Sequence, residues 1–122
     1  DDIGIVGATK RAMARAVESL DTRPDHLLID AIELPELSID QTSIIKGDSK
    51  SRSVAAASIV AKVTRDRLMT DVFDSKYPGY GFAEHKGYCT NVHVEALNRM
   101  GPCLIHRMTF QPVRSMLKLL EA

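Results

Sequence analysis

The 122-residue chain sets 16 Lys or Arg against 16 Asp or Glu, with 44% of residues hydrophobic and 26% charged, the balance of an ordinary globular domain. No apolar run approaches the ~20 residues of a membrane span. Two cysteines, Cys89 and Cys103, do not make a zinc-ligand set, so reduced thiols in a cytoplasmic protein are the expectation.

The first helix runs from about Asp2 to Leu20, because Ile5, Ala8, Ala12, Ala16 and Leu20, with Val6, Met13 and Val17 beside them, recur on one face. Asp21-Thr22-Arg23-Pro24-Asp25 stops it, since proline cannot continue a helix and Asp and Thr favour turns. His26-Leu27-Leu28-Ile29-Asp30 follows as a strand, and Pro35 forbids its continuation as an interior strand. An irregular, acidic segment to Gln41 leads to a second strand at Thr42 to Lys46. Lys46-Gly47-Asp48-Ser49 then turns into a long buried helix, from Lys50 or Ser53 to about Ser75, with small apolar residues at 54, 57, 60, 61 and 63 for close packing on a sheet. Tyr77 through Cys89 reads as a glycine-rich loop with stacking surface, Thr90 caps a helix over Asn91 to Met100, Gly101-Pro102 closes it, and Val113 to Leu120 returns to helical period.

The pattern is α/β, and its chemistry gathers at strand ends. Asp30 ends an apolar strand and Asp48 lies where the second strand gives way to a helix, and if the strands are parallel neighbours the two carboxylates converge in the crevice where open α/β sheets place their sites. Close carboxylates share a proton or hold a divalent cation, because like charges at short range are otherwise costly. Each is also readable as a turn residue, and Asp48 as a helix N-cap, the commoner fate of such residues. Charge is uneven: residues 1–45 hold four basic against nine acidic side chains, 46–76 seven against four, and 77–122 five against three. A basic remainder beside an acidic first third suits a protein that grips phosphates next to a carboxylate site, as it also suits a normal mixed surface.

Leu28-Ile29-Asp30, Lys46-Gly47-Asp48-Ser49, the run Ala56 to Asp66, Tyr77-Pro78-Gly79-Tyr80-Gly81-Phe82 and His85-Lys86-Gly87-Tyr88, in this order and at these separations, resemble the bacterial form of ribonuclease HII, the type 2 ribonucleases H. The resemblance implies a ribonuclease H-like fold, of which residues 1–122 form the C-terminal portion of a single domain: 1–76 the sheet and core helices, 77–122 a substrate-binding loop and C-terminal helices. It implies an endonuclease that hydrolyses the RNA strand of RNA/DNA hybrids and cuts 5′ of ribonucleotides embedded in duplex DNA, using two Mg²⁺ or Mn²⁺ ions. Asp30 and Asp48 match the family's third and fourth metal-binding carboxylates, Asp48 on the nucleophile side and Asp30 near the leaving group. Tyr88 matches the tyrosine that stacks on the sugar at an RNA-to-DNA junction. The family's first two carboxylates belong to an Asp-Glu-x-Gly-Arg-Gly segment that does not occur here, so the isolated chain is expected to be inactive or nearly so.

Lys46, Arg52 and Lys86 are candidate phosphate contacts. Asp66 is expected to pair with Arg65 or Arg67, and His85 and His106 to make structural hydrogen bonds. Ala31 departs from the family, whose bacterial members usually have glycine at that place. A monomeric parent enzyme without membrane association is expected, and the rival reading is a catalytically silent nucleic-acid-binding or assembly fragment that needs a complementary N-terminal segment.

Overall fold

A computed structural model describes residues 1–120. Its contacts divide the chain into two compact units, Asp2–Ala61 and a second made of Asp1 with the residues from Lys62 onward.

The first unit begins with α1 (Gly4–Glu18), two residues inside the expected bounds at either end. Strand β1 (His26–Asp30) pairs in parallel with β2 (Asp40–Ile44), in a register that sets His26 against Asp40 and Asp30 against Ile44. The second strand therefore starts two residues earlier than its apolar content suggests, and Ile45 and Lys46 lie beyond it. Parallel strands need a crossover, and the link between them, Ala31 to Ile39, is braced rather than regular. The Gln41 amide accepts from the Leu34 N–H at 2.8 Å and donates to the Leu34 carbonyl at 2.9 Å, so a side chain satisfies the backbone that Pro35 removes from any sheet. That brace seats Leu34 at 1% exposure against Leu27 and Ile29, with Met13 and Val17 of α1 packed on the same cluster.

Burial along β1 alternates, and Leu28 is left 48% exposed, so among the described residues one face of the two-stranded sheet is uncovered. After the short α2 (Gly47–Lys50) comes α3 (Arg52–Arg67). The expected buried helix is corrected here: of α3 only Val54 is buried, whereas Ile59 and Val60 are 63% and 65% exposed. Small side chains at 56, 57 and 61 permit close packing, but among the described residues nothing covers that face.

In the second unit the helix continues past Arg67 through a π turn, Leu68–Phe73, into α4 (Asp74–Lys76). Tyr77 to Cys89 is not the flexible loop its glycines suggested. It contains a one-turn helix, α5 (Phe82–His85), entered at Gly81 (φ 78°) and left at Lys86 (φ 53°), and it buries Tyr80, Phe82 and His85. The glycine conformations serve the turns, while the aromatics between them belong to the core. The Asp74 carboxylate accepts the Ala83 N–H at 3.0 Å and ties α5 to the preceding helix. Helix α6 (Asn91–Met100) is capped as expected, the Thr90 hydroxyl accepting from the His93 N–H, and Gly101 (φ 74°) ends it with its N–H on the Leu97 carbonyl. Helix α7 (Val113–Leu120) adds Val113 to a core of Tyr80, Phe82, Ala96 and Leu97. Phe82 and Leu97, each 1% exposed, stabilise this unit by about 1.5–3 kcal/mol apiece.

Candidate functional site

Asp30 ends β1 and Gly47 follows β2, and the parallel register brings the two ends side by side. The Asp30 Oδ1 accepts the Gly47 N–H at 2.9 Å. A side chain at residue 47 would stand 3.1 Å from Val54 Cγ1 and 3.4 Å from Asp30 Cα, so glycine is what lets the turn close against the end of β1. Lys46 precedes it in the left-handed region (φ 57°), and its carbonyl accepts from both the N–H and the hydroxyl of Ser49. Asp48 thus lies within the first turn of α2, with Lys46 at the N-cap, and its Oδ1 accepts the Ser49 N–H at 2.9 Å. Capping of α2 by the Asp48 side chain is not what the structure has.

Asp30 and Asp48 are both exposed, and in each the recorded bond uses Oδ1, leaving Oδ2 without a partner among the described residues. Two free hard oxygens next to a backbone turn fit a divalent cation as a partial ligand set. Among the described residues no three His, Cys, Asp or Glu side chains gather as a complete one. Arg52 is exposed at the start of α3.

In the second unit Tyr88 is 56% exposed, and the Arg65 guanidinium lies 5.0 Å from its ring centre. Cation–π contact holds the phenol without burying it. Lys86 turns its ammonium back onto the Ala83 carbonyl, which draws it away from the role of free phosphate contact. Asp66 pairs with Lys62 at 2.5 Å and with Arg65 at 3.3 Å, not with Arg67. That exchange of a proton-bearing bond pushes the Lys62 ammonium up and the Asp66 carboxyl down from their ordinary values. A cleft of about 540 Å³ opens beside Tyr88, lined by Arg65, Met69, Phe73, His93, Arg107 and Phe110 among others.

Three histidines lie under this loop. His85 bonds the Tyr80 carbonyl through Nε2 at 2.7 Å, and its Nδ1 accepts the Gly87 N–H. His106 accepts the Cys103 N–H at Nδ1, 2.9 Å, so the structural roles expected for both are present. His93, which the sequence reading passed over, bonds the Tyr88 carbonyl through Nδ1 at 3.0 Å and meets His106, Nε2 to Nε2, at 3.0 Å. Its signal was its phase: His93, Ala96 and Leu97 stand three and four residues apart, on the buried face of α6.

The family model described as ribonuclease HII matches residues 1–113. The chain is similar to curated proteins named ribonuclease HII from Syntrophomonas wolfei, 56% identical over 116 residues, and from Acetivibrio thermocellus, 56% identical over 110 residues. These alignments cover 95% and 90% of the chain but only 45% and 43% of the relatives, so the chain spans less than half the length of either.

Proposed function

The chain belongs to the ribonuclease HII family, and on that premise we propose that it supplies part of the catalytic surface of an endonuclease acting on RNA/DNA hybrids and on ribonucleotides embedded in duplex DNA. The observation that carries this reading is the hydrogen bond from Gly47 N–H to the Asp30 carboxylate, which holds the residue preceding Asp48 against the end of β1. Asp30 and Asp48 would hold Mg²⁺ or Mn²⁺. Such ions, when bound, supply Lewis-acid polarisation of the phosphate and an acidified water for phosphodiester hydrolysis. This chain's own part is to fix two carboxylates at strand ends, to bind phosphates through Lys46 and Arg52, and to stack Tyr88 on the substrate.

Residues 1–122 are taken as a portion of one ribonuclease H-like domain, with 77–122 as its substrate-binding part, in a monomeric cytoplasmic enzyme. The reading as an assembly part has one observation in its favour: the exposed apolar face of α3, with Ile59 and Val60, and the bare Leu28 offer a surface that a complementary segment would cover. Under both readings the isolated chain cleaves poorly, since two carboxylates leave most coordination positions to water.

A cleavage assay on the purified chain with a hybrid duplex and Mg²⁺ or Mn²⁺, repeated with an N-terminal segment containing Asp-Glu-x-Gly-Arg-Gly added in trans, tests this. Little turnover alone and restored turnover with the segment, lost again in Asp48→Asn, is the expected result. Full turnover by the chain alone, abolished in Asp48→Asn, would show that two carboxylates suffice. No turnover in the complemented mixture would leave the silent fragment as the better description.

A further inference from the structure

We infer that His93, braced by His106, is a positioning residue for Tyr88: a buried chain of imidazoles fixes the backbone of the loop from which the exposed phenol projects. The inference rests on the reading of Tyr88 as the substrate-stacking residue.

The hydrogen-bond roles along the chain are forced by its backbone ends. Cys103 N–H is a donor, so His106 Nδ1 is bare and its Nε2 carries the proton. That proton faces His93 Nε2 at 3.0 Å, so His93 Nε2 is bare and Nδ1 carries the proton. His93 Nδ1–H then donates to the Tyr88 carbonyl. Beside it the Gly87 N–H fixes His85 in the Nε2–H form, which donates to the Tyr80 carbonyl. The His85 and His93 rings stack with centres 4.3 Å apart and planes 15° apart, and the His85 carbonyl accepts the Tyr88 N–H at 2.9 Å. Tyr88 is therefore held at its N–H by the His85 carbonyl and at its carbonyl by His93 together with the Thr90 N–H, while the Arg65 guanidinium lies over its ring.

Every ring in the chain is neutral and uses one nitrogen as donor and the other as acceptor. A second proton on His93 would set N–H against N–H at His106 and charge against the stacked His85 ring. The groups facing these rings are Phe82 by its edge, Tyr80 and the Cys103 thiol; no carboxylate is recorded against them among the described residues. Nothing there compensates a positive charge, in keeping with the lowering of both His93 and His106 below the ordinary imidazole value by burial.

The test uses the 122-residue chain and a dye-labelled RNA/DNA hybrid. Long-range ¹⁵N spectra at pH 7.5 should show His93 as the Nδ1–H tautomer and His85 and His106 as Nε2–H. Hybrid binding measured by anisotropy should weaken about tenfold in Tyr88→Ala and about threefold or more in His93→Ala. His93→Asn, whose amide keeps a donor where Nδ1–H stands, should restore most of the loss. On acidification below about pH 6.5, while circular dichroism still reports a folded chain, binding should fall in the parent and follow the Tyr88 resonances. A histidine acting only as a surface charge would instead strengthen phosphate binding as it protonates. The opposite His93 tautomer, or Tyr88-dependent binding untouched in a folded His93→Ala, would overturn the positioning role. Binding unchanged in Tyr88→Ala would overturn the substrate reading of Tyr88 and leave the tautomer result to stand or fall by itself.

Discussion

The Asp30 carboxylate is hydrogen-bonded to the backbone of Gly47 at 2.9 Å, so the backbone next to Asp48 is held by the other carboxylate of the pair. Gly47→Ala would push a methyl to 3.1 Å from Val54 and 3.4 Å from the Asp30 backbone. A cost of about 1–3 kcal/mol is expected, read as a lower urea midpoint at unchanged slope. An unchanged midpoint would show that Val54 yields freely and that the approach of the two ends does not depend on glycine.

Asp30→Asn keeps an oxygen for the Gly47 N–H, and Asp48→Asn keeps one for Ser49, so both variants should retain the parent's circular dichroism. In a complemented, active mixture each should abolish cleavage, because an amide oxygen carries no charge for a hard cation. Mg²⁺-dependent turnover surviving in either would remove that residue from the ligand set.

Ala31, immediately after the candidate ligand Asp30, sits in the left-handed region at φ 54°, with its N–H on the Ile44 carbonyl. An L-residue pays about 1–2 kcal/mol for that conformation, and glycine returns part of the gain as extra freedom in the unfolded chain. Ala31→Gly should therefore stabilise the chain by about 0.5–1 kcal/mol. Equilibrium unfolding in urea checks it, and a fall in midpoint would refute the account of strain.

Acid should destabilise the second unit through His93 and His106. Burial lowers both folded-state values, so the unfolded chain takes up protons first, and the stability these rings contribute is full above about pH 6.5 and declines below it. The slope is at most about 1.4 kcal/mol per pH unit for each additional proton bound by the unfolded chain. Urea midpoints at pH 7.5, 6 and 5 should fall in that order, and less steeply in His106→Gln; a rise on acidification would contradict it.

Much of this was readable from pattern. The helix faces of residues 5–17 and 91–100, the Thr90 cap and the strand before Asp30 follow from local periodicity and capping chemistry, which single residues carry. Misreadings came where a residue's environment is set by distant chain. Apolar residues at 59 and 60 look the same in sequence whether or not something packs on them, and here they are exposed. Glycine density between Tyr77 and Cys89 announced turns but not that Tyr80 and Phe82 between them form a core. Of the candidate site, the parallel neighbouring strands were anticipated from the α-rich context as a condition for the two carboxylates to meet, and the strands pair that way. The histidine chain was not, because its members, 8 and 13 residues apart, meet by a ring stack and a ring-to-ring hydrogen bond that no local spacing encodes.

The π turn over Leu68–Phe73 has a geometric effect on the residues either side of it. Four residues overshoot one α-helical turn of 3.6 but undershoot the wider π turn, so the drift of every fourth side chain reverses where one gives way to the other. Arg65, Met69 and Phe73 are thereby kept in line, and all three line the cleft beside Tyr88, with Arg65 and Met69 flanking Gly87. A π turn is an α-helix that has absorbed one extra residue, so deleting one residue within it would restore ordinary helix and leave the segments on either side facing much as they do now. Elsewhere on a helix such a deletion turns everything beyond it by about 100°; here the turn would take it up and the cleft wall would keep its line.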